Sequence, residues 1–134
     1  MAEYYKYEVG IGHAPSYQVS GHPYLTGSAT ALTGIQEKVV FPKVAKSVTV
    51  QNTGGNDMLV HFTDGNEGET MNGIHYITLP ALAAGRDLSR MTFNVKCTEI
   101  YVTPQGNTSY EVYAELTGIN TDMMYNLTGS GLTD

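Results

Sequence analysis

Apolar and polar residues alternate with a period of two through most of residues 35–117, and this pattern constrains the fold more than any other feature. In "KSVTVQN", Val48 and Val50 are separated by polar residues, and in "RMTFNVKC" the apolar positions include Met91 and Phe93. Successive side chains of a β-strand point to opposite faces, so such alternation predicts half-buried strands. In "MLVHFTD" the same alternation assigns His61 to the solvent side of its strand.

Glycine- and asparagine-rich turns separate these segments, among them "NTGGND", "DGNEGE" and "PQGN". No segment carries a helical stripe, and Pro80 and Gly85 restrict "LPALAAGRDLSR" to a short turn. We therefore predict an all-β, antiparallel β-sandwich or jelly-roll-like fold of seven or eight strands, the eighth coming from the N-terminal region. The seven predicted strands are 35–41, 46–52, 58–64, 74–79, 88–96, 99–103 and 109–117.

The 134 residues suffice for one domain with two flanks. Residues 1–34 are predicted to form an extended N-terminal arm, rich in Gly, Ser, Thr and Pro. The β-sandwich domain is predicted at residues 35–117, and residues 118–134 form a C-terminal tail.

The composition excludes several classes of partner. The net charge is −6 and the chain holds only seven Lys and Arg, so we expect no nucleic-acid partner. It has no apolar run of membrane-spanning length and no basic-then-apolar leader, so we expect no membrane partner and synthesis in a cytoplasm-like compartment. The single cysteine, Cys97, lies in an alternating run and is interpreted as a small core residue.

The sequence contains no recognisable catalytic motif, and we predict no enzyme activity, no cofactor and no metal. The strongest metal candidates are His61 and His75, which flank the loop "DGNEGE" on strands that could pair. The carboxylates of this loop do not have EF-hand spacing, and a solvated hairpin loop is the favoured interpretation.

Tyrosines are concentrated in the two flanks. A solvated linker favours Ser, Glu and Lys, whereas tyrosine offers a large contact area at low entropic cost. Charged residues make up only 15% of the chain, and charge is depleted at interfaces. We therefore predict that the flanks bind partner proteins, although an arm that covers an edge of its own sheet remains an alternative. The predicted contact residues are Tyr4, Tyr5, Tyr7, Tyr17 and Tyr24 in the arm and Met124 and Tyr125 in the tail.

The stretch "GIQEKVVFPKVAKSVTVQNTGGNDMLVHFTDG", followed by "LPALAAG", resembles small virion proteins of tailed bacteriophages, especially head decoration (cement) proteins. The resemblance covers about half of the chain, and its motifs are structural. It implies a β-sandwich subunit on the capsid surface of the virion, assembled in the host cytoplasm. It also implies two partners, the major capsid protein and neighbouring copies of the chain in a homotrimer.

Two other functions remain open at this point. One is a phage tail, baseplate or fibre-associated carbohydrate-binding module, which would present an exposed aromatic platform. The other is a small cupin-like metal enzyme that uses His61 and His75.

Overall fold

The computed structural model describes residues 22–82 and 89–134. Its only helix in these ranges is a 3-10 turn at Thr121–Met123, so no helix of the described chain is long enough to cross a membrane. The strands are β1 (His22–Ala31), β2 (Glu37–Asn52), β3 (Met58–His61), β4 (Ile77–Leu79), β5 (Arg90–Phe93), β6 (Cys97–Pro104) and β7 (Thr108–Leu116).

The predicted all-β, antiparallel fold is confirmed. All seven strands belong to one hydrogen-bonded sheet in the order β1-β7-β2-β6-β3-β4, and β5 pairs with β2 off this path. Every strand pair is antiparallel. The arrangement of this sheet as a sandwich or jelly roll stays a prediction.

β2 is a single strand of 16 residues that pairs with three other strands. The sequence predicted two separate strands in this part of the chain, 35–41 and 46–52. The first half of β2 pairs with β6 and its second half lies between β7 and β5. The register shifts between Val40 and Ala45 against β6, and again between Ala45 and Ser47 against β7. Pro42 lies within this irregular segment, which is where a strand tolerates a residue without an amide hydrogen.

The irregular segment lets both halves of β2 face the same core. Val39 and Phe41 are buried before it, and Val48 and Val50 are buried after it, so the buried parity changes from odd to even. A shift of one residue moves every following side chain to the other face of a strand, and a bulge supplies such a shift. The resulting core cluster combines buried residues of every strand except β5. Phe93 of β5 packs against this cluster.

Strand β3 corrects one sequence-based assignment. The alternation assigns His61 to the solvent side, but its side chain is 1% exposed, and Leu59, which shares its parity on the strand, is 4% exposed. Both faces of β3 are covered, because Met58 and Val60 belong to the core cluster and the opposite side is buried as well. Alternation on one strand cannot show whether the second face of that strand is also buried in the folded chain.

Candidate functional site

The C-terminal tail begins with an anchor on the irregular segment of β2. The amide of Thr117 donates to the Val44 carbonyl at 2.9 Å, and the Val44 amide donates to the Ile119 carbonyl at 3.0 Å. The Thr117 hydroxyl also donates to the Val44 carbonyl, at 2.8 Å. The Ile119 side chain is completely buried, so the tail leaves the sheet from a fixed position.

A second anchor fixes the end of the tail. The hydroxyls of Thr63 and Thr70 donate to the Leu132 carbonyl at 3.2 Å and 2.8 Å. The Glu69 amide donates to the Thr133 carbonyl at 2.5 Å. Leu127, between the two anchors, packs against the core cluster. The tail is therefore an ordered layer of the domain.

Glycine is required at position 68, where the loop that follows β3 contacts the second anchor. Gly68 has a φ of +49°, and a Cβ atom there would overlap the carbonyl oxygen of Thr133. A side chain at this position would be strained and would displace the end of the tail.

Between the anchors the tail presents apolar side chains to solvent. Met123 is 47% exposed, Tyr125 is 60% exposed, and Met124 is half-buried. Val40 of β2, 56% exposed, shares a shallow pocket with Thr121 at the start of this segment. We call Val40, Met123, Met124 and Tyr125 the tail surface.

A polar cavity of about 310 Å³ adjoins the tail surface. It lies between the tail, β6 and the segment 62–67, and Tyr125 stands at its border. The polar side chains that line it include Asp64, Glu67, Glu99 and Asn126.

One carboxylate of this cavity is already engaged. Glu99 accepts a hydrogen bond from the Tyr101 hydroxyl at 2.8 Å and forms an ion pair with Lys38 at 2.9 Å. Burial and the Glu99 carboxylate raise the pKa of Tyr101 to about 12, so this phenol remains a hydrogen-bond donor at neutral pH. The Glu99 side chain is therefore held in place rather than turned freely towards a ligand.

The seven contact residues predicted from sequence lie in different surroundings. Met124 and Tyr125 belong to the tail surface. Tyr24 lies in β1, where its ring packs edge-on against Phe41 of the same chain, with centroids 5.8 Å apart. Tyr4, Tyr5, Tyr7 and Tyr17 lie outside the described residues.

The histidine pair considered as metal ligands does not form a metal site in the described ranges. Nδ1 of His61 lies 2.6 Å from the Thr63 carbonyl oxygen, and Nε2 lies 2.9 Å from the Thr103 hydroxyl. Both ring nitrogens are thus occupied inside the chain. Residues 22–82 and 89–134 contain no group of three or more His, Cys, Asp or Glu that could hold a metal ion.

Sequence reasoning missed Val40 and Met123. For Val40 a signal was available, because alternation around the buried residues Val39 and Phe41 requires Val40 to point outwards. For Met123 there was none, since the exposure of a tail residue depends on where the two anchors hold the tail.

In comparisons with known proteins, no protein-family model, no curated protein and no solved structure matches this chain.

Proposed function

We propose that this protein is a structural subunit of a tailed-bacteriophage virion, a decoration protein that binds the major capsid protein on the outside of the head. The observation that carries the proposal is the tail surface, in which Met123 and Tyr125 are exposed to solvent between the two anchors of the tail. The role is one of binding and assembly, with no catalytic step.

Two physical features support a protein partner at the tail surface. Tyrosine and methionine are enriched at interfaces between proteins, and charged residues are depleted at their centres. The surface is also preorganised, because Ile119 and Leu132 fix the ends of the segment before any partner binds. Less conformational entropy is then lost on binding.

The proposal includes contacts between neighbouring copies on the capsid. Tyr4, Tyr5, Tyr7 and Tyr17 are the residues proposed to make them, in a homotrimer on the virion surface. Each subunit then binds weakly, and simultaneous contacts to the shell and to neighbours multiply into avidity.

The test is co-sedimentation of the full-length protein with empty shells assembled from the major capsid protein of the same genome. We expect saturable binding, and at least tenfold weaker binding by the Tyr125→Ser variant. The matched control is Tyr113→Ser, which removes a 39% exposed tyrosine from β7. The control should bind like the unaltered protein, whereas equal losses in both variants or no binding at all would contradict the proposal.

A carbohydrate-binding module is the second candidate, because the polar cavity of about 310 Å³ borders the exposed ring of Tyr125. Ligand sites combine such an aromatic surface with a few placed polar groups. Thermal denaturation in the presence of neutral mono- and disaccharides tests it. A rise in Tm that Glu67→Gln abolishes would favour this candidate, since that change lies in the cavity and not on the tail surface.

A further inference from the structure

Among the asparagines of the chain, only Asn72 is followed by glycine. Asparagine is thermolabile, because the backbone nitrogen of the next residue lies close enough to attack the carbonyl carbon of its side chain. Glycine has no Cβ atom to obstruct that approach. Asn72 is also exposed, so water reaches the product of the attack. The pair Asn72 and Gly73 is therefore the part of this sequence most prone to deamidation.

Packing fixes the second residue of this pair as glycine. A Cβ atom at Gly73 would lie 2.6 Å from the carbonyl oxygen of Glu69 and 2.6 Å from Nε2 of His75. Both distances are too short for a real Cβ atom, so a larger residue fits only if its neighbours move. The turn thus requires the glycine that makes Asn72 reactive.

Backbone hydrogen bonds hold this turn closed. The Gly73 amide donates to the Glu69 carbonyl at 2.5 Å, and the His75 amide donates to the Thr70 carbonyl at 2.9 Å. The reaction at Asn72 uses the Gly73 nitrogen as its nucleophile, so the first of these bonds must break beforehand. Deamidation of the folded protein therefore proceeds through local opening of the turn.

Ile74 favours such opening. Its backbone lies in the left-handed region with a φ of +60°, where a β-branched residue is strained. Its side chain is 69% exposed, so little burial is lost when the turn opens. Opening relieves the strain at almost no cost in packing, and it does so directly beside the reactive pair.

The turn and the second anchor of the tail share two residues. Glu69 accepts from the Gly73 amide through its carbonyl and donates through its own amide to the Thr133 carbonyl. Thr70 accepts within the turn through its carbonyl and donates through its hydroxyl to the Leu132 carbonyl at 2.8 Å. A change in the turn is therefore transmitted to the end of the tail.

We propose that Asn72 deamidates spontaneously to isoaspartate and that this modification releases the end of the tail from its second anchor. The Gly73 nitrogen forms a bond to Cγ of Asn72, the bond from Cγ to the side-chain nitrogen breaks, and ammonia leaves with the proton of the Gly73 amide. Water then opens the cyclic imide at either of its carbonyl groups. One product is aspartate at position 72, and the other is isoaspartate, in which the backbone runs through the former side chain.

Isoaspartate adds a methylene group to the backbone between positions 72 and 73. The hydrogen bonds from Gly73 to Glu69 and from His75 to Thr70 span this point, and each depends on the number of backbone atoms that it encloses. The longer backbone cannot keep both bonds, so Glu69 and Thr70 no longer hold the tail. The inference concerns the chain by itself and does not depend on the decoration role.

The first experiment follows deamidation of the folded full-length protein by mass spectrometry during prolonged incubation at pH 8. A glutamate-specific protease cuts between Asn72 and the exposed Asn66, which is the control. We expect Asn72 to lose its amide at least tenfold faster than Asn66, and labelling by an isoaspartyl methyltransferase should identify isoaspartate. The same incubation in urea gives the rate of the open chain. Retention of the Asn72 amide in the folded protein, while the unfolded chain loses it, would overturn the proposal.

Limited proteolysis tests the release of the tail. Ion exchange separates the deamidated protein, and we expect chymotrypsin to cut it within residues 127–134 at least tenfold faster than unaged protein. Freshly prepared Asn72→Asp carries the same added charge on an ordinary backbone and should stay as resistant as unaged protein. Asn72→Ser cannot form the imide and should keep its resistance during ageing. A deamidated protein that stays resistant, or rapid cutting of fresh Asn72→Asp, would overturn the proposal.

None of these measurements uses capsid shells, so failure of this inference is distinguishable from failure of the proposed function. A protein that binds shells but keeps the Asn72 amide leaves the decoration role intact. A protein that ignores shells but releases its tail on deamidation does the reverse.

Discussion

The imidazole of His61 lies parallel to the phenol of Tyr101 on the neighbouring strand, with ring centroids 5.7 Å apart and 9° between the planes. The Thr63 carbonyl can only accept, so Nδ1 of His61 carries the proton and Nε2 accepts from the Thr103 hydroxyl. In the neutral imidazole, these two contacts select one tautomer.

This arrangement predicts a loss of stability in mild acid. Burial lowers the pKa of His61, and this effect outweighs the opposing influence of the Thr63 carbonyl and the Asp64 charge. The unfolded chain therefore binds the additional proton first, as pH falls through the ordinary imidazole pKa of about 6.5. The free energy of unfolding should fall over that range by at most about 1.4 kcal/mol per pH unit.

Urea unfolding between pH 7.5 and about 5 measures this contribution. His61→Gln should flatten the dependence on pH, whatever its effect on absolute stability. The exposed His22 supplies the control, because His22→Gln should retain the slope. An unchanged slope in His61→Gln would show that the pH dependence comes from other groups.

The first anchor of the tail gives a second prediction. Ile119→Ala removes a completely buried side chain and should lower the free energy of unfolding by about 3 kcal/mol. It should also allow proteases to cut within residues 118–128 of the folded protein. Met123→Ala changes a 47% exposed residue of the same segment and should alter stability by less than about 0.5 kcal/mol. A tail that stays resistant in Ile119→Ala would place the restraint at the second anchor alone.

A buried amide gives a third prediction. The Nδ2 group of Asn52 lies 2.8 Å from the Asn56 carbonyl oxygen, 3.3 Å from that of Leu79 and 3.2 Å from that of Pro80. Asn52→Asp keeps the shape but turns a carboxylate oxygen towards these three acceptors. We expect a loss of about 3 kcal/mol at neutral pH, because the buried charge has no donor on that side.

The loss should shrink in acid, where the new carboxyl group is protonated and can donate again. Asn66→Asp adds the same charge at an exposed position and is the control, with an expected change below about 0.5 kcal/mol. Equal effects of the two changes in urea unfolding would mean that added negative charge, and not the buried amide, decides the outcome.

The thiol of Cys97 gives a fourth prediction. Its side chain is completely buried, and burial together with the Glu99 charge raises its pKa to about 12. Reaction needs both access and thiolate. Iodoacetamide should therefore leave the folded protein unmodified at pH 8, and modify it in urea, as measured by mass spectrometry. Val40→Cys places a second thiol at a 56% exposed position, and this variant should react once without urea. Rapid modification of Cys97 in the folded protein would contradict the burial.

Alternation predicted the strand content well, because most strands bury one face only. It could not show that the strands at 35–41 and 46–52 are one strand, since Pro42 normally marks a break and the shift in register depends on β6 and β7. It predicted one continuous strand at 88–96, whereas β5 ends at Phe93 and residues 94–96 lie outside the sheet before Cys97 begins β6.

The residues of the candidate site were harder to predict from the sequence than the strands were. The composition of the tail indicated Met124 and Tyr125. The position of the tail, however, depends on the burial of Ile119 and on hydrogen bonds from the hydroxyls of Thr63 and Thr70, which are distant in sequence. The left-handed backbone conformation of Ile74 could not be predicted from the sequence. The neighbouring Gly73 predicts a turn here, and glycine is the residue expected to adopt that conformation. β1 has a weak alternation of small polar residues, and only its pairing with β7 identifies it as a strand.

The most direct test of the decoration role is an electron cryomicroscopy map of shells of the major capsid protein incubated with the full-length protein. The account predicts additional density on the outer surface, with the segment 120–126 facing the shell and neighbouring copies in contact. Shells that remain bare at saturating protein, or density that contacts the shell through another face, would contradict it.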